Sequence, residues 1–180
     1  MKVLIHTCCA PCLIYPLKKL QKDGHKVKGI FYNPNIHPFA EYLKRRQAVE
    51  DYGKASDCEI FFPEYLPEEF FRETNYKEQA PGRCCLCWAL RLRATASFAK
   101  EKGFDAFTTT LLVSPYQDQD MLKKIGEGVA AISEIEFLYQ DFRDGFKFAH
   151  EEAREKGIYC QNYCGCIYSE IERCKKSRKR

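Results

Sequence analysis

Short apolar runs alternate with amphipathic stretches along this chain. Apolar runs rich in β-branched and aromatic residues predict strands over 3–6, 27–32, 59–62, 107–112 and 135–139. Apolar residues spaced by three and four positions predict helices over 13–20, 39–52 and 84–102, from about 121, and over 146–156 and 167–176. This alternation indicates βαβ units, so we expect an α/β fold in which helices flank a mainly parallel, Rossmann-like sheet.

Proline and glycine residues sharpen the predicted helix ends. Pro16 lies in the first predicted helix, where a proline is tolerated only within the first turn, and Gly24 ends that helix. Gly103 likewise ends the helix predicted over 84–102. No repeat, linker or low-complexity segment interrupts the pattern, so we expect residues 1–180 to form a single domain.

The loops that follow the predicted strands carry most of the unusual residues. These loops are HTCCAPC at 6–12, NPNIHP at 33–38 and TTLLVSPYQD at 109–118. In a parallel sheet with right-handed crossovers, such loops collect along the carboxyl edge of the strands. The cysteines at 84–87 open a helix that leans over the same edge, so we expect one common site.

Composition narrows the class of protein. Hydrophobic residues make up 45% and charged residues 30% of the chain, which is ordinary for a globular protein. No apolar run approaches the roughly 18 residues of a membrane helix, and the first residues do not resemble a secretion signal. We therefore expect a cytoplasmic protein without a membrane partner, in a compartment that disfavours structural disulfides.

The cysteine content is the feature that points to chemistry. Eleven cysteines are an odd number, so they cannot all pair within one chain. Nine lie in three clusters: Cys8, Cys9 and Cys12; Cys84, Cys85 and Cys87; Cys160, Cys164 and Cys166. Tight clusters in a reducing compartment favour metal or redox chemistry. Cys58 and Cys174 stand apart, and for these two we expect the ordinary role of a small buried hydrophobic residue.

Each cluster has its own chemical signal. Cys84 and Cys87 form a C-x-x-C motif at the start of a helix, where backbone amides favour thiolates. Together with the thiolates of the first loop they can hold a tetrahedral metal or a cubane cluster, with zinc the main alternative to iron and sulfur. Cys164 and Cys166 flank one glycine, so a disulfide between them is strained and easily reduced, although two buried thiols would give the same pattern.

Five motifs occur in order along nearly the whole chain: TCCAPC, GRCCLC, SPYQD, YQDFRDGF and NYCGCIYS. In these motifs the chain resembles the QueH-type epoxyqueuosine reductases. The resemblance implies a sheet of the HUP or PP-loop type. It also implies the last step of queuosine biosynthesis, in which the epoxide of epoxyqueuosine at the tRNA wobble position is deoxygenated to the alkene.

The resemblance also implies cofactors and site residues. The implied ligands of a [4Fe-4S] cluster are Cys8, Cys9, Cys84 and Cys87. The implied redox-active pair is Cys164 and Cys166. For an additional iron ion, the candidate ligands are Cys12, Asp118 and Asp141. No flavin or nicotinamide motif is visible, so we expect an external electron donor.

A tRNA partner requires phosphate and base contacts. Candidates for phosphate contacts are the basic residues at the end of the chain, Lys175, Lys176, Arg178, Lys179 and Arg180. Further basic groups are Lys44, Arg45, Arg46, Arg91 and Arg93, while a solvated terminus is the alternative for the tail. Tyr32, Tyr116 and Tyr163 are candidates for stacking on an unpaired base. We expect Trp88 in the core, and His6 as either a proton relay or a packing residue.

Two other classes of protein remain open on the residues. An ATP-dependent tRNA-modifying enzyme of the same sheet type needs a phosphate loop rich in glycine or serine after the first strand. This chain has HTCCAPC at that place. A zinc-stabilised RNA-binding module without catalysis is the other alternative.

Overall fold

A computed structural model describes residues 1–177 of the chain. The strands are β1 (Lys2–His6), β2 (Lys26–Ile30), β3 (Ile60–Phe61), β4 (Ala106–Thr109) and β5 (Glu136–Phe137). The helices are α1 (Ala10–Lys22), α2 (Phe39–Ala55), α3 (Pro67–Thr74), α4 (Gly82–Glu101), α5 (Gln119–Ser133), α6 (Phe146–Glu155) and α7 (Ile167–Ser177). Among the described residues, none of these helices has the length and apolar character needed to cross a membrane.

The strands form one sheet in the order β3-β2-β1-β4-β5, and all four strand pairs are parallel. This arrangement confirms the predicted α/β fold with its parallel sheet. The chain runs outward from β1 to β3 on one side, then returns to β4 on the other side. A topological switch point therefore lies beyond the carboxyl ends of β1 and β4, the usual place for a ligand site in such sheets.

The middle of the sheet is buried on both faces, which explains the continuous apolar run of β1. Val3, Leu4 and Ile5 are fully buried, as is Phe107 of β4. A strand covered on both faces has no polar alternation, because every side chain meets a helix layer. The layers come from helices that pack on one another, α1 against α6 and α4 against α5.

The first helix is longer than predicted, and the expected position of its proline is wrong. α1 begins at Ala10 with Pro11 in its first turn, so Pro16 lies in the helix interior. Proline has no amide hydrogen, and the carbonyl of Cys12 therefore loses its helical donor. Burial of apolar side chains on this helix, among them Leu13 and Leu17, offsets that loss.

The ends of several elements test the predicted boundaries. Gly24 and Gly103 follow α1 and α4 with φ values of +85° and +68°, which confirms the predicted helix ends. The strand predicted over 107–112 ends earlier, because the Thr109 hydroxyl accepts a hydrogen bond from the Leu111 amide at 3.1 Å. Residues Thr110–Val113 then form a 3-10 turn at the switch point.

Two glycines of α5 provide a matched test of how this helix packs on β5. A Cβ added at Gly126 would lie 2.1 Å from the Phe137 ring, whereas one at Gly128 meets nothing within 4 Å. We expect Gly126→Ala to lower the free energy of unfolding by about 1–3 kcal/mol through overpacking. Gly128→Ala should raise it by roughly 0.5–1 kcal/mol through helix propensity. Urea denaturation measures both, and equal effects would contradict this packing.

Candidate metal and redox centre

The first cysteine cluster lies at the switch point. Cys8 follows β1, Cys9 is the N-cap of α1, and Cys12 lies in the first turn of that helix. All three are buried, and their sulfur atoms lie within 4.8 Å of one another. Among the described residues, these three form the one group of at least three potential metal ligands found at this spacing. The strand end and the first helical turn thus bring three soft ligands together.

Hydrogen bonds prepare one of these sulfurs to carry negative charge. The thiols of Cys12 and Cys9 and the hydroxyl of Thr110 donate to Cys8, which holds the Cys8 pKa well below its usual range. Donation to Cys8 raises the pKa of Cys12, and burial raises the pKa of Cys9. The side-chain amide of Gln161 also donates to the Cys9 sulfur at 2.9 Å. The cluster therefore favours one thiolate surrounded by donors.

The second cluster lies in the first two turns of α4. Cys87 is buried and packs with Phe70 and Cys166 in a small apolar cluster. Burial raises the pKa of Cys84, and it raises the pKa of Cys87 to about 12, although the charge of Arg91 opposes the shift at Cys87. Desolvation therefore opposes the stabilisation of thiolates that is expected at the helix N-terminus.

The third cluster precedes α7 and joins an exposed residue to a buried one. Cys164 is an exposed residue, although burial of its thiol raises the pKa of that group, whereas Cys166 is buried and its sulfur accepts a hydrogen bond from the Ser169 amide at 3.4 Å. Gly165 has a φ of +148°, a backbone conformation that residues other than glycine rarely adopt. Its carbonyl accepts from the His37 amide at 2.8 Å, which ties this loop to the loop after β2.

A buried ion pair holds the backbone of the third cluster. Arg45 of α2 is only 1% exposed, and its guanidinium donates to the carbonyls of Cys164 at 2.9 Å and Tyr163 at 3.0 Å. It also pairs with the Glu41 carboxylate at 2.7 Å, and Tyr159 donates to the same carboxylate at 2.5 Å. Arg45 therefore cannot serve the phosphate contacts predicted for it, because its charge is enclosed and fully used.

A second buried arginine lies where the three clusters meet. Arg91 of α4 is also 1% exposed, so its predicted phosphate contact is wrong as well. Its positive charge lies within electrostatic reach of the thiols of Cys87, Cys164, Cys8 and Cys166. Thiols from all three clusters therefore lie near one guanidinium, while the expectation of one common site stays a prediction.

The structure gives the two predicted carboxylate ligands other partners. Asp118 is exposed and caps α5 by accepting from the Met121 amide at 2.9 Å. Asp141 is exposed and pairs with Arg143 at 2.5 Å. Within residues 1–177 neither carboxylate belongs to a close group of potential ligands with Cys12. Their part in binding an additional iron stays a prediction.

The basic tail falls partly outside the described residues. Lys175 and Lys176 are exposed on α7, where phosphate could reach them. Arg178, Lys179 and Arg180 lie outside the part of the chain that the structure describes. Contact between this tail and phosphate therefore stays a prediction.

The aromatic candidates for base stacking differ in their exposure. The Tyr32 hydroxyl donates to Glu69, and the Tyr163 hydroxyl donates to the carbonyl of His37. Tyr116 is 83% exposed, and its ring meets Phe146 edge-on with the ring centres 5.8 Å apart. Of the three tyrosines, Tyr116 presents the most accessible ring for stacking.

Other single residues have clear structural roles. His6 is fully buried, with its ring nitrogens 3.0 Å from the Thr109 hydroxyl and 3.1 Å from the Tyr32 carbonyl. Burial lowers its pKa to about 4, so His6 is a neutral packing residue that links three strand ends. Trp88 and Cys58 are buried as predicted, whereas Cys174 is exposed and the prediction of a buried residue there is wrong.

From the sequence, two site residues were assigned the wrong role and three others were missed. Arg45 and Arg91 occur in the basic stretches KRR and RLR, which suggest a surface, and Thr110, Gln161 and His150 occur in no recognisable motif. His150 of α6 lies within electrostatic reach of Cys8, and its ring is 4.3 Å from that of Phe146. No local signal could have identified these residues, because their roles depend on contacts between distant segments.

Comparison with known proteins places the fold and the family. A solved structure, titled as a predicted subunit of a tRNA methyltransferase from Methanocaldococcus jannaschii, superposes with a TM-score of 0.55. It is 10% identical, and the match covers 85% of this chain and 75% of that one, which shows a shared fold.

Several curated proteins have a higher sequence identity to this chain than that solved structure has. Epoxyqueuosine reductase QueH of Dehalococcoides mccartyi is 35% identical, over 96% of this chain and 94% of the relative. The protein of the same name from Thermotoga maritima is 38% identical, over 99% of this chain and 97% of the relative. The sequence profile of the epoxyqueuosine reductase QueH family matches residues 3–172. The chain therefore belongs to the QueH family of epoxyqueuosine reductases, which are oxidoreductases.

Proposed function

We propose that this protein reduces epoxyqueuosine to queuosine at the wobble position of tRNA, the last step of queuosine biosynthesis. The observation that supports this most directly is the buried group of three thiols at the switch point, whose sulfurs lie within 4.8 Å of one another, in a chain of this family. Because the site draws on segments near residues 8, 84 and 164, we also propose that residues 1–180 work as a single domain.

The donor set fits an iron–sulfur centre. Soft thiolate ligands select such centres, and the three sulfurs of the first cluster are buried within 4.8 Å of one another. The ligands that would hold a [4Fe-4S] cluster are Cys8, Cys9, Cys84 and Cys87. Cys12, with Asp118 and Asp141, would serve an additional iron. When bound, the cluster supplies electrons one at a time at low potential.

The third cluster supplies the electron balance. Conversion of an epoxide to an alkene consumes two electrons and two protons, and the oxygen leaves as water. Oxidation of the Cys164 and Cys166 thiols to a disulfide releases two electrons and two protons, so the two half-reactions balance. Cys164 is an exposed residue, which places the pair near the surface where an external donor can approach, while Cys166 packs against Cys87 at the interior.

The substrate is expected to approach over the carboxyl edge of the sheet. Tyr116 offers an exposed ring on the loop after β4, where an unpaired base can stack. Lys175 and Lys176 with the basic residues that follow them would contact phosphates.

One distance favours a second candidate function. The sulfurs of Cys8 and Cys9 are 3.7 Å apart. In a tetrahedral zinc–thiolate site, bonds of about 2.3 Å place neighbouring sulfurs about 3.8 Å apart. A zinc-stabilised RNA-binding module would share this geometry. The visible spectrum and metal content of anaerobically purified protein separate the two: a brown protein with iron and sulfide supports the reductase, and a colourless zinc protein overturns it.

The ligand assignment is tested by serine substitution. We expect Cys84→Ser to lower bound iron and sulfide and to abolish reduction of epoxyqueuosine in tRNA, because serine is a poor ligand for iron–sulfur clusters. Cys58→Ala is the control, since Cys58 is buried near β3 and outside the three clusters. Its iron and sulfide contents should match those of the wild type. Full iron content and activity in Cys84→Ser would refute the assignment.

A second set of variants separates electron relay from cluster binding. Cys164→Ser and Cys166→Ser should keep the iron–sulfur spectrum and lose sustained turnover, because one thiol cannot form the disulfide. Thiol alkylation followed by mass spectrometry should find both cysteines reduced before a single turnover and protected after it. Loss of the spectrum would make these cysteines ligands, and full activity in both variants would reject the relay.

The basic tail is tested through the salt dependence of tRNA binding. Deletion of Ser177–Arg180 removes three positive charges. If they contact phosphates, binding should weaken and the slope of log affinity against log salt should become shallower by up to about three. Replacing Lys100 and Lys102 by alanine, at the far end of α4, is the control. An unchanged slope in the deletion variant would mean that the tail is only solvated.

A further inference from the structure

Arg91 is a buried charge that has no carboxylate partner among the described residues. Its side chain is 1% exposed, and its Nε donates only to the Cys87 carbonyl of its own helix at 3.2 Å. The Nη2 atom is buried and has no hydrogen-bond partner among residues 1–177. None of the ion pairs formed by these residues includes Arg91. A guanidinium keeps its charge in a protein, so its burial requires a compensating group.

The other buried arginines show how this chain usually meets that requirement. Arg45 is equally buried, and it pairs with the Glu41 carboxylate at 2.7 Å and donates to two carbonyls. Arg83 pairs with the Glu172 carboxylate at 2.9 Å. Each has an acidic partner on a helix. Arg91 differs, because no carboxylate among residues 1–177 pairs with it, while thiols from all three cysteine clusters lie within electrostatic reach of its charge.

We propose that Arg91 is a positioning residue whose charge balances the negative thiolate–metal centre and raises its reduction potential. This inference rests on the proposed function, since it requires a centre at that place. The physical reason is the sign of the charge. One-electron reduction adds one negative charge to the centre and makes no bond, so a nearby fixed cation in a low-dielectric interior stabilises the reduced form more than the oxidised form.

The same argument predicts that the charge of Arg91 lowers the stability of the empty protein and raises the stability of the protein with the centre bound. Without the centre, the guanidinium has no carboxylate partner and its Nη2 has no hydrogen-bond partner among residues 1–177, so its burial costs stability. With the centre bound, the guanidinium is attracted to the thiolates and stabilises the folded protein. Arg91→Met removes the charge while keeping a long side chain. Loss of packing alone would change stability in the same direction in both forms.

The experiment compares Arg91→Met with wild type, each as purified anaerobically and after removal of the metal by a chelator. We expect the substitution to raise the thermal midpoint of the empty protein and to lower that of the loaded protein. In a dithionite titration the midpoint potential should shift to more negative values. The expected change is at least tenfold in the reduction equilibrium, which corresponds to about 59 mV for one electron.

Two further variants make the result specific. Arg91→Lys retains a positive charge, so its midpoint potential and the thermal midpoint of its loaded form should lie closer to those of the wild type than to those of Arg91→Met. Arg93→Met is the matched control on the same helix, because Arg93 is exposed and pairs with Glu73 at 2.9 Å. This variant should have the midpoint potential of the wild type, and its thermal midpoint should not shift in opposite directions in the empty and loaded forms. If Arg91→Met does not fold, Arg91→Gln provides the same neutral comparison.

Failure of this inference differs from failure of the proposed function. An unchanged potential, or a shift of the thermal midpoint in the same direction in both forms, would overturn the role of Arg91 while leaving the reductase intact. If the wild type binds only zinc, the proposed function fails. The reversal between empty and zinc-loaded protein then still decides whether Arg91 balances the charge of the centre.

Discussion

The pairing of β1 with β2 on one side and with β4 on the other is the interaction on which the rest of the structure depends. It ends three parallel strands at one edge and creates the switch point where the chain must loop outward. The Cys8 amide donates to the Thr110 hydroxyl across this gap at 3.1 Å, and that hydroxyl donates to the Cys8 sulfur at 3.3 Å. The central strands therefore position the first thiol cluster directly.

Burial is the second constraint, and it acts on charge as well as on apolar side chains. The interior that covers β1 also encloses Arg45 and Arg91. Arg45 uses its charge to hold the backbone at Cys164, so the third cluster is fixed to α2. Arg91 has no carboxylate partner among residues 1–177, and its charge lies within electrostatic reach of thiols from all three clusters. The two arginines are therefore equally buried but differ in how their charge is compensated.

The thiols differ in their exposure. The first cluster and Cys87 are buried. Cys164 is an exposed residue, while Cys166, two residues away, packs against Cys87. Gly165 lies between the two cysteines with a φ of +148°, a conformation that residues other than glycine rarely adopt. The third cluster therefore extends from the surface of the protein to the buried second cluster.

The sequence by itself determined the parallel α/β sheet and the three cysteine clusters, because these depend on local periodicity and on cysteine spacing, and five ordered motifs indicated the family by resemblance. Gly24 and Gly103 marked helix ends for the same local reason. Tertiary structure alone decided which charges are buried. KRR and RLR suggest a surface, yet Arg45 and Arg91 are enclosed, because a helix shows its buried face only when its neighbours are known. It also decided that Pro16 lies inside a helix and that Asp118 is a helix cap and Asp141 the partner of Arg143. A single residue carries no signal of the distant group it will meet, and only folding brings the two together.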